Sequence, residues 1–196
     1  MEEIFGLQWK FNVHLLRKLG LEYSAVIEDA AAKLTWIENY RKALSAELAE
    51  LVREVRENGI GTHNGRVEIV DMLHFLVSLS HIVHIHPAEA AVPEGASAGR
   101  DFSACVVDTF LALDDLQNSM KWKWWAKGGG FKPEAAERAV RDLWKCFAEA
   151  CGIFGMDLES LKKLYAAKNR VNFQRQERGY NEDNKTEEDN LALERL

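Results

Sequence analysis

The stretch from Val67 to Val83, VEIVDMLHFLVSLSHIV, constrains the fold more than any other part of the chain. At 100° per residue Glu68, Asp71, His74, Ser78 and His81 fall on or near one line, and Leu, Ile, Val, Met and Phe fill nearly everything else. A helix that is apolar most of the way round is a buried one, so this segment predicts a buried helix carrying one narrow polar stripe. Two carboxylates three residues apart on such a helix are costly to bury unless something neutralises them. A divalent cation is the most economical answer, and it points to metal-assisted chemistry.

The rest of the chain is helical in character too. Its only prolines are Pro87, Pro93 and Pro133, separated by long stretches of Ala, Leu, Glu, Lys and Arg. No period-2 segment is bounded by turn signals, so the fold reads as all-α. Helices are expected from Ile4 to Leu19, ended by Gly20, and from Tyr23 to Lys33. A long one runs from Thr35, as N-cap, to Glu57, ended by Asn58-Gly59. The connector GIGTHNG carries turn residues only, and the striped helix ends at His86-Pro87. Three more helices are expected: Phe102 to Trp125, Pro133 to Gly152 with the proline in its first turn, and Asp157 to Arg178 with Gly179 as cap. Residues 87–99 read as a flexible linker and 127–132 as a glycine loop. A single domain over 1–180 with an acidic, loose tail at 181–196 is the expected organisation.

Composition narrows the function classes. Of 196 residues, 47% are hydrophobic and 29% charged, as in ordinary soluble globular proteins. A net charge of −6 argues against a general nucleic-acid-binding surface. Cys105, Cys146 and Cys151 are odd in number and lack CxxC spacing, which argues against a disulfide framework or structural zinc and fits a reducing compartment. MEEIFGLQWKF lacks the basic-then-apolar pattern of a signal peptide. The polar stripe also keeps the most apolar helix short of transmembrane character. A cytoplasmic protein with no membrane or nucleic-acid partner is therefore expected.

Two further patterns carry chemistry. In WIENYRKALSAELAELVREV, Leu44, Leu48, Leu51 and Val55 form an apolar face, and Glu47 and Glu50 sit beside it at i, i+3. Two antiparallel helices joined by a short connector would set this ExxE opposite the Glu68-Asp71 ExxD. Four hard oxygen ligands then converge, suited to Mg²⁺, or to Mn²⁺, bridged to substrate phosphates. Alone, Glu47, Glu50 and Glu54 would read as a solvated flank; Glu68 and Asp71 have little solvated face around them. His74 and His81 read as hydrogen-bonded core residues rather than ligands, and no HExxH exists. His81, His84 and His86 cluster at a helix end, where positive charge suits the helix dipole. In LKKLYAAKNRVNFQRQERGY, Lys168, Asn172, Arg175 and Gln176 recur at i, i+4, i+7 and i+8, flanked by Tyr165 and Arg178. Basic and amide groups on one face suit phosphate oxygens, with Arg forking onto two at once. A solvated basic face is the alternative; the four carboxylates favour a polyphosphate held between metal and cations.

Taken together these blocks resemble the all-α dimeric dUTPases, a branch of the all-α nucleoside-triphosphate pyrophosphatases that also includes MazG-type enzymes and phage dCTP/dUTP pyrophosphatases. LQWKFN (Leu7 to Asn12) is similar to the family's LQxxxN block, WIENYRKALSAELAEL carries its ExxE, and VEIVDMLHF carries its ExxD followed by HF. KLYAAKNRVNFQRQERGY (Lys163 to Tyr180) is similar to its KNxxNxxRQxxGY block, the most specific of the four. The resemblance implies that Glu47, Glu50, Glu68 and Asp71 bind Mg²⁺, that Gln8 and Asn12 recognise the pyrimidine and help seat the nucleotide, and that Lys168, Asn172, Arg175 and Tyr180 hold the phosphates or close over them. It implies hydrolysis of dUTP to dUMP and pyrophosphate by water attack at the α-phosphorus, with Glu47 or Glu50 orienting the water, in a homodimer. A dCTP/dUTP or broader MazG-like range is the runner-up. A non-catalytic helical nucleotide-binding or interaction protein is the third reading.

The sequence also departs from that pattern. The family usually carries a WKWWK-like stretch directly after ExxE, whereas Met120 to Ala126 (MKWKWWA) follows the ExxD helix here. The later RAVRDLWKCF loosely mimics VEIVDMLHF, with Ala139 in place of the Glu and Asp142 retained. A degenerate second half-repeat that has lost its metal ligands would explain this. After Tyr180 the chain reads NEDNKTEED, keeping Lys185 but not the family's Tyr. Trp122, Trp124 and Trp125 are expected to fill a core or a dimer interface rather than stack on a base.

Overall fold

The computed structural model describes residues 1–93, 101–179 and 193. Among the described residues there are seven α-helices and no strand: α1 (Glu2–Lys18), α2 (Tyr23–Glu28), α3 (Ala32–Asn58), α4 (His63–Ile82), α5 (Phe102–Asn118), α6 (Pro133–Ile153) and α7 (Leu158–Glu177). A short 3₁₀ turn covers Pro87–Glu89 within the expected linker. Residues 94–99 of that linker, Tyr180, Lys185 and the 181–196 tail apart from Leu193 lie outside the described residues.

Several helix ends differ from the sequence expectation, each because of one side chain or one backbone angle. The second helix stops at Glu28 rather than Lys33, because Asp29 turns its carboxylate onto the N–H groups of Ala31 (3.0 Å) and Ala32 (2.7 Å) and starts α3 there. Thr35 is thus inside α3, not its cap. Thr62 accepts a hydrogen bond from the Gly65 N–H at 3.0 Å, so α4 begins at His63 and takes over the second half of the connector expected to be all turn. At its other end α4 stops at Ile82, not His86. His84 adopts the left-handed φ of 60°, and the Ile85 N–H returns to the Ser80 carbonyl at 2.9 Å. The same closure ends α6, with Gly155 (φ 64°) in the left-handed position and the Met156 N–H on the Cys151 carbonyl at 2.8 Å. Helix α5 stops at Asn118, well before Trp125, and the Lys132 N–H bonds the Ser119 carbonyl at 2.8 Å, so the connector closes on itself and α6 starts beside the end of α5.

That early stop places the tryptophans on the connector. Trp122 and Trp125 are exposed and Trp124 is 85% exposed, so they do not fill the core of the protomer. Their contacts are mostly with one another, in edge-on pairs, and Trp122 donates to Asn118 at 2.8 Å.

Helix α4 is the axis of the bundle, packed against α1, α2, α3, α6 and α7. Val67, Ile69, Val70, Leu73, Val77 and Leu79 are essentially fully buried. At roughly 2 kcal/mol for each such side chain, this helix contributes a large share of the hydrophobic stabilisation. Helices α3 and α4 pair across their short connector, α5 pairs with α6, and the two hairpins meet through α3–α5 and α4–α6 contacts. On α6, Trp144 donates to Ser80 of α4 at 2.9 Å and stacks on Phe5 of α1. In the stretch that mimics the ExxD helix, Ala139 is buried, whereas Asp142 is exposed and pairs with Lys145 at 2.7 Å. Helices α1, α3 and α7 wall the polar stripe of α4. No helix among the described residues is long and apolar enough to cross a membrane.

Candidate active site

The stripe of α4 divides into an acidic half and an amide half. Glu68 is buried, and its carboxylate meets those of Glu47 and Glu50, one turn apart on α3, which are half-buried. One oxygen from each of the three lies within 4.8 Å of the others. Asp71, the next stripe residue, faces α7 instead: its Oδ2 is 2.7 Å from Nζ of Lys168. Lys168 is only 3% exposed. An ammonium this buried is tolerable only beside a carboxylate, so Lys168 belongs to the interior of the site and not to a solvated basic face.

The amide half is a closed hydrogen-bond network. Gln8 Nε2 donates to Asn12 Oδ1 (2.8 Å) and to Ser78 Oγ (3.1 Å). Its Oε1 accepts from the Tyr165 hydroxyl (2.6 Å) and from His74 Nδ1 (2.7 Å). Asn12 Nδ2 donates to Tyr23 (2.9 Å) and Ser78 (3.0 Å), and Ser78 donates to the His74 carbonyl (2.8 Å). Burial, with the nearby Lys168 ammonium adding to it, pushes the His74 imidazole down to about 3, so the ring is neutral. With Nδ1 donating to Gln8, its Nε2 is left as an acceptor facing Asn172 at 3.4 Å. His81 is pushed down to about 4 by burial and takes the Tyr23 hydroxyl at 3.1 Å. Neutral at ordinary pH, it does not supply the helix-end positive charge expected of it, while its role as a hydrogen-bonded core residue holds.

These two halves line one cavity of about 260 Å³. Glu47, Glu50, Glu68, Asp71, Lys168, Asn172 and Arg175 surround one end, and Gln8 and Asn12 the other. Every site residue expected from the sequence lines this cavity except Tyr180, which lies outside the described residues. Tyr40, Phe75, Phe11 and His74 also line it, and sequence reasoning assigned them no place there. Tyr40 had a signal: it lies seven residues before Glu47, two turns back on the same face of α3. Phe75 and Phe11 had none, since an aromatic on an apolar helix reads as core.

Three carboxylates gathered from two helices are a hard-oxygen donor set of the type Mg²⁺ prefers, so the residues fit that ion. Buried Lys168 and nearby Arg175 and Asn172 offer cationic and amide donors to phosphate oxygens in the same cavity. A dUTPase family model matches residues 1–180. No curated protein matches the chain. The match spans α1, the α3–α4 hairpin and α7, the elements that build the cavity. The chain belongs to the all-α dimeric dUTPase family, which makes it a dUTP diphosphatase.

Proposed function

We propose that the cavity hydrolyses dUTP to dUMP and pyrophosphate with Mg²⁺, or Mn²⁺ in its place, held by Glu47, Glu50, Glu68 and Asp71. The observation that carries this reading is the carboxylate cluster of α3 and α4 facing the buried ammonium of Lys168 across one cavity. When bound, the ion supplies positive charge to the phosphate oxygens and eases deprotonation of water. Lys168 leaves Asp71 for a phosphate oxygen, so its charge follows the substrate. Arg175 and Asn172, on the same face of α7, take further phosphate oxygens. Tyr180, two residues beyond Arg178, is assigned to closing over the phosphates. Glu47 or Glu50 orients the attacking water and receives its proton. The new bond forms at the α-phosphorus as the bond to the bridging oxygen breaks, and pyrophosphate leaves. Asn12, fixed in orientation by Gln8, receives the pyrimidine at the amide end.

Release of pyrophosphate from dUTP with and without Mg²⁺ tests the reading. Glu68→Gln and Asp71→Asn are each expected to cost a hundredfold or more, and full activity in either variant overturns the metal assignment. Rates across dUTP, dCTP, a modified pyrimidine triphosphate and a purine triphosphate separate dUTP preference from a broader MazG-like range. A homodimer is part of the proposal. It is supported by the exposed Val107, Phe110 and Leu111 on one face of α5 and by the exposed tryptophans of the connector, and light scattering tests it. A cytoplasmic setting is supported by three cysteines that are all buried and free.

A further inference from the structure

The floor of the amide end has very little hydrogen-bonding capacity left, and counting it singles out one residue. Gln8 uses both amide hydrogens and both lone pairs of its oxygen within the network. Ser78 donates to the His74 carbonyl and accepts from Gln8 and Asn12, which exhausts a hydroxyl. Asn12 uses both amide hydrogens and one lone pair, leaving one lone pair on Oδ1. Tyr40 is different. It is 5% exposed and lines the cavity, yet its hydroxyl has no hydrogen-bond partner among the described residues. Ser78 is close enough to influence it but has no lone pair to offer. The ring packs against Trp36 and Phe75, with centroids 5.5 and 6.3 Å away, which keeps the hydroxyl on the buried side of α3. A buried hydroxyl without a partner is unfavourable for the fold, and one that lines a cavity can be satisfied by whatever occupies it.

We propose that Tyr40 is a specificity-determining contact for the base: its hydroxyl donates to a pyrimidine carbonyl while Asn12 Oδ1 accepts the adjacent N3–H. This rests on the proposed nucleotide reading of the cavity and adds to it a residue and a pattern. A uracil ring presents an N3–H flanked by two carbonyls, so an acceptor beside a donor matches it. In the same pose cytosine turns an N3 lone pair toward Asn12 Oδ1, and the two acceptors repel. Gln8 is then a positioning residue, holding Asn12 so that its free lone pair faces the cavity.

The test uses the full chain and its Tyr40→Phe variant, which deletes the hydroxyl and keeps the ring. kcat/KM is measured for dUTP, 2-thio-dUTP and 4-thio-dUTP, because sulfur is a poor acceptor. Wild type is expected to lose about fivefold to tenfold on one of the two thio analogues. Tyr40→Phe is expected to lose about the same on dUTP and nothing further on that analogue. Without nucleotide the variant is expected to melt at or above the wild-type temperature, since nothing in the protein loses a partner. Retention of kcat/KM for dUTP within twofold overturns the proposal, as do thio penalties unchanged by the substitution or a lowered melting temperature. Calorimetric binding of dUMP separates the two layers. A wild type that binds dUMP through Tyr40 but does not turn over dUTP refutes the hydrolysis reading alone. A wild type that hydrolyses dUTP with Tyr40→Phe unaffected refutes the Tyr40 proposal alone, and absence of both binding and turnover refutes both.

Discussion

Replacing Lys168 with Met is the sharpest probe of how the site is balanced before substrate arrives. Lys168 is 3% exposed, and its ammonium lies 2.7 Å from Asp71, whose own side chain is 17% exposed. Breaking a buried ion pair by removing one partner costs about 3–5 kcal/mol, because the other charge is left buried without compensation. The partial exposure of Asp71 favours the lower figure, about 3 kcal/mol. For a chain of this length each kcal/mol moves the melting temperature by about 2–4 °C, so Lys168→Met in EDTA is expected to melt roughly 6–12 °C below wild type. Two companions separate charge balance from packing. Lys168→Met combined with Asp71→Leu removes both charges and is expected to return to within about 1 kcal/mol of wild type. Added Mg²⁺ is expected to raise the melting temperature of Lys168→Met more than that of wild type, since an ion binding only the folded state stabilises it by mass action and no longer competes with the Lys168 ammonium for Asp71. Scanning calorimetry on the three proteins reads all of this. A Lys168→Met protein melting within experimental error of wild type, or a double variant no better than the single, would refute the reasoning.

Two other outcomes follow from the helix axis itself. His74 is held neutral in the fold, at about 3 against 6.5 when free, first by burial and then by Lys168. The unfolded chain therefore takes up a proton that the fold refuses. The stabilisation is complete above pH 6.5 and is lost as pH falls toward 3, at about 1.4 kcal/mol per unit, or roughly 2 kcal/mol between pH 6.5 and 5. His81, held at about 4 by burial, adds in the same direction. Urea unfolding at pH 7, 6 and 5 should show a shallower acid loss in His74→Gln than in wild type, and equal slopes would contradict the assignment. His84 occupies the left-handed position that closes α4 at φ 60°, where a side chain costs about 1 kcal/mol relative to glycine. His84→Gly is expected to stabilise by about that amount in the same titration, and a loss of stability would show that the imidazole contributes more than its strain.

What could be read in advance was whatever has to be compensated. Glu68 and Asp71 on an apolar helix demanded a counter-charge: the ammonium of Lys168 answers it at Asp71, whereas the carboxylates of α3 gather beside Glu68 and add to the negative charge there. Helix ends were less readable, because each turned on one local event: the Asp29 carboxylate, the Thr62 hydroxyl, the unexpected left-handed His84. The tryptophans misled for another reason. Hydrophobicity predicts burial only when a helix carries the residue inward, and α5 ends before reaching them. The register of Tyr40 with Glu47 was readable, but the part its hydroxyl plays was not. Its hydroxyl matters because Gln8 and Ser78 are already saturated, and saturation is a property of the assembled network.

On the proposed reading, the stripe of α4 lets one helix serve both ends of a nucleotide. From Glu68 to Ser78 is ten residues, about 15 Å of helix. Along that length the partners change from carboxylates and an ammonium, suited to metal and phosphate, to amides and hydroxyls, suited to a neutral base. His74 lies between them and touches both, with Nδ1 on Gln8 and Nε2 facing Asn172. Because it is neutral, it adds no cation to compete with Lys168 for phosphate, and its ring fixes the orientation of Gln8. On that reading the charged half rearranges when phosphate and metal arrive, while the amide half stays set. That division requires substitutions at Glu68 or Lys168 to act chiefly on turnover and metal response, and those at Asn12 or Tyr40 to act chiefly on which base is accepted.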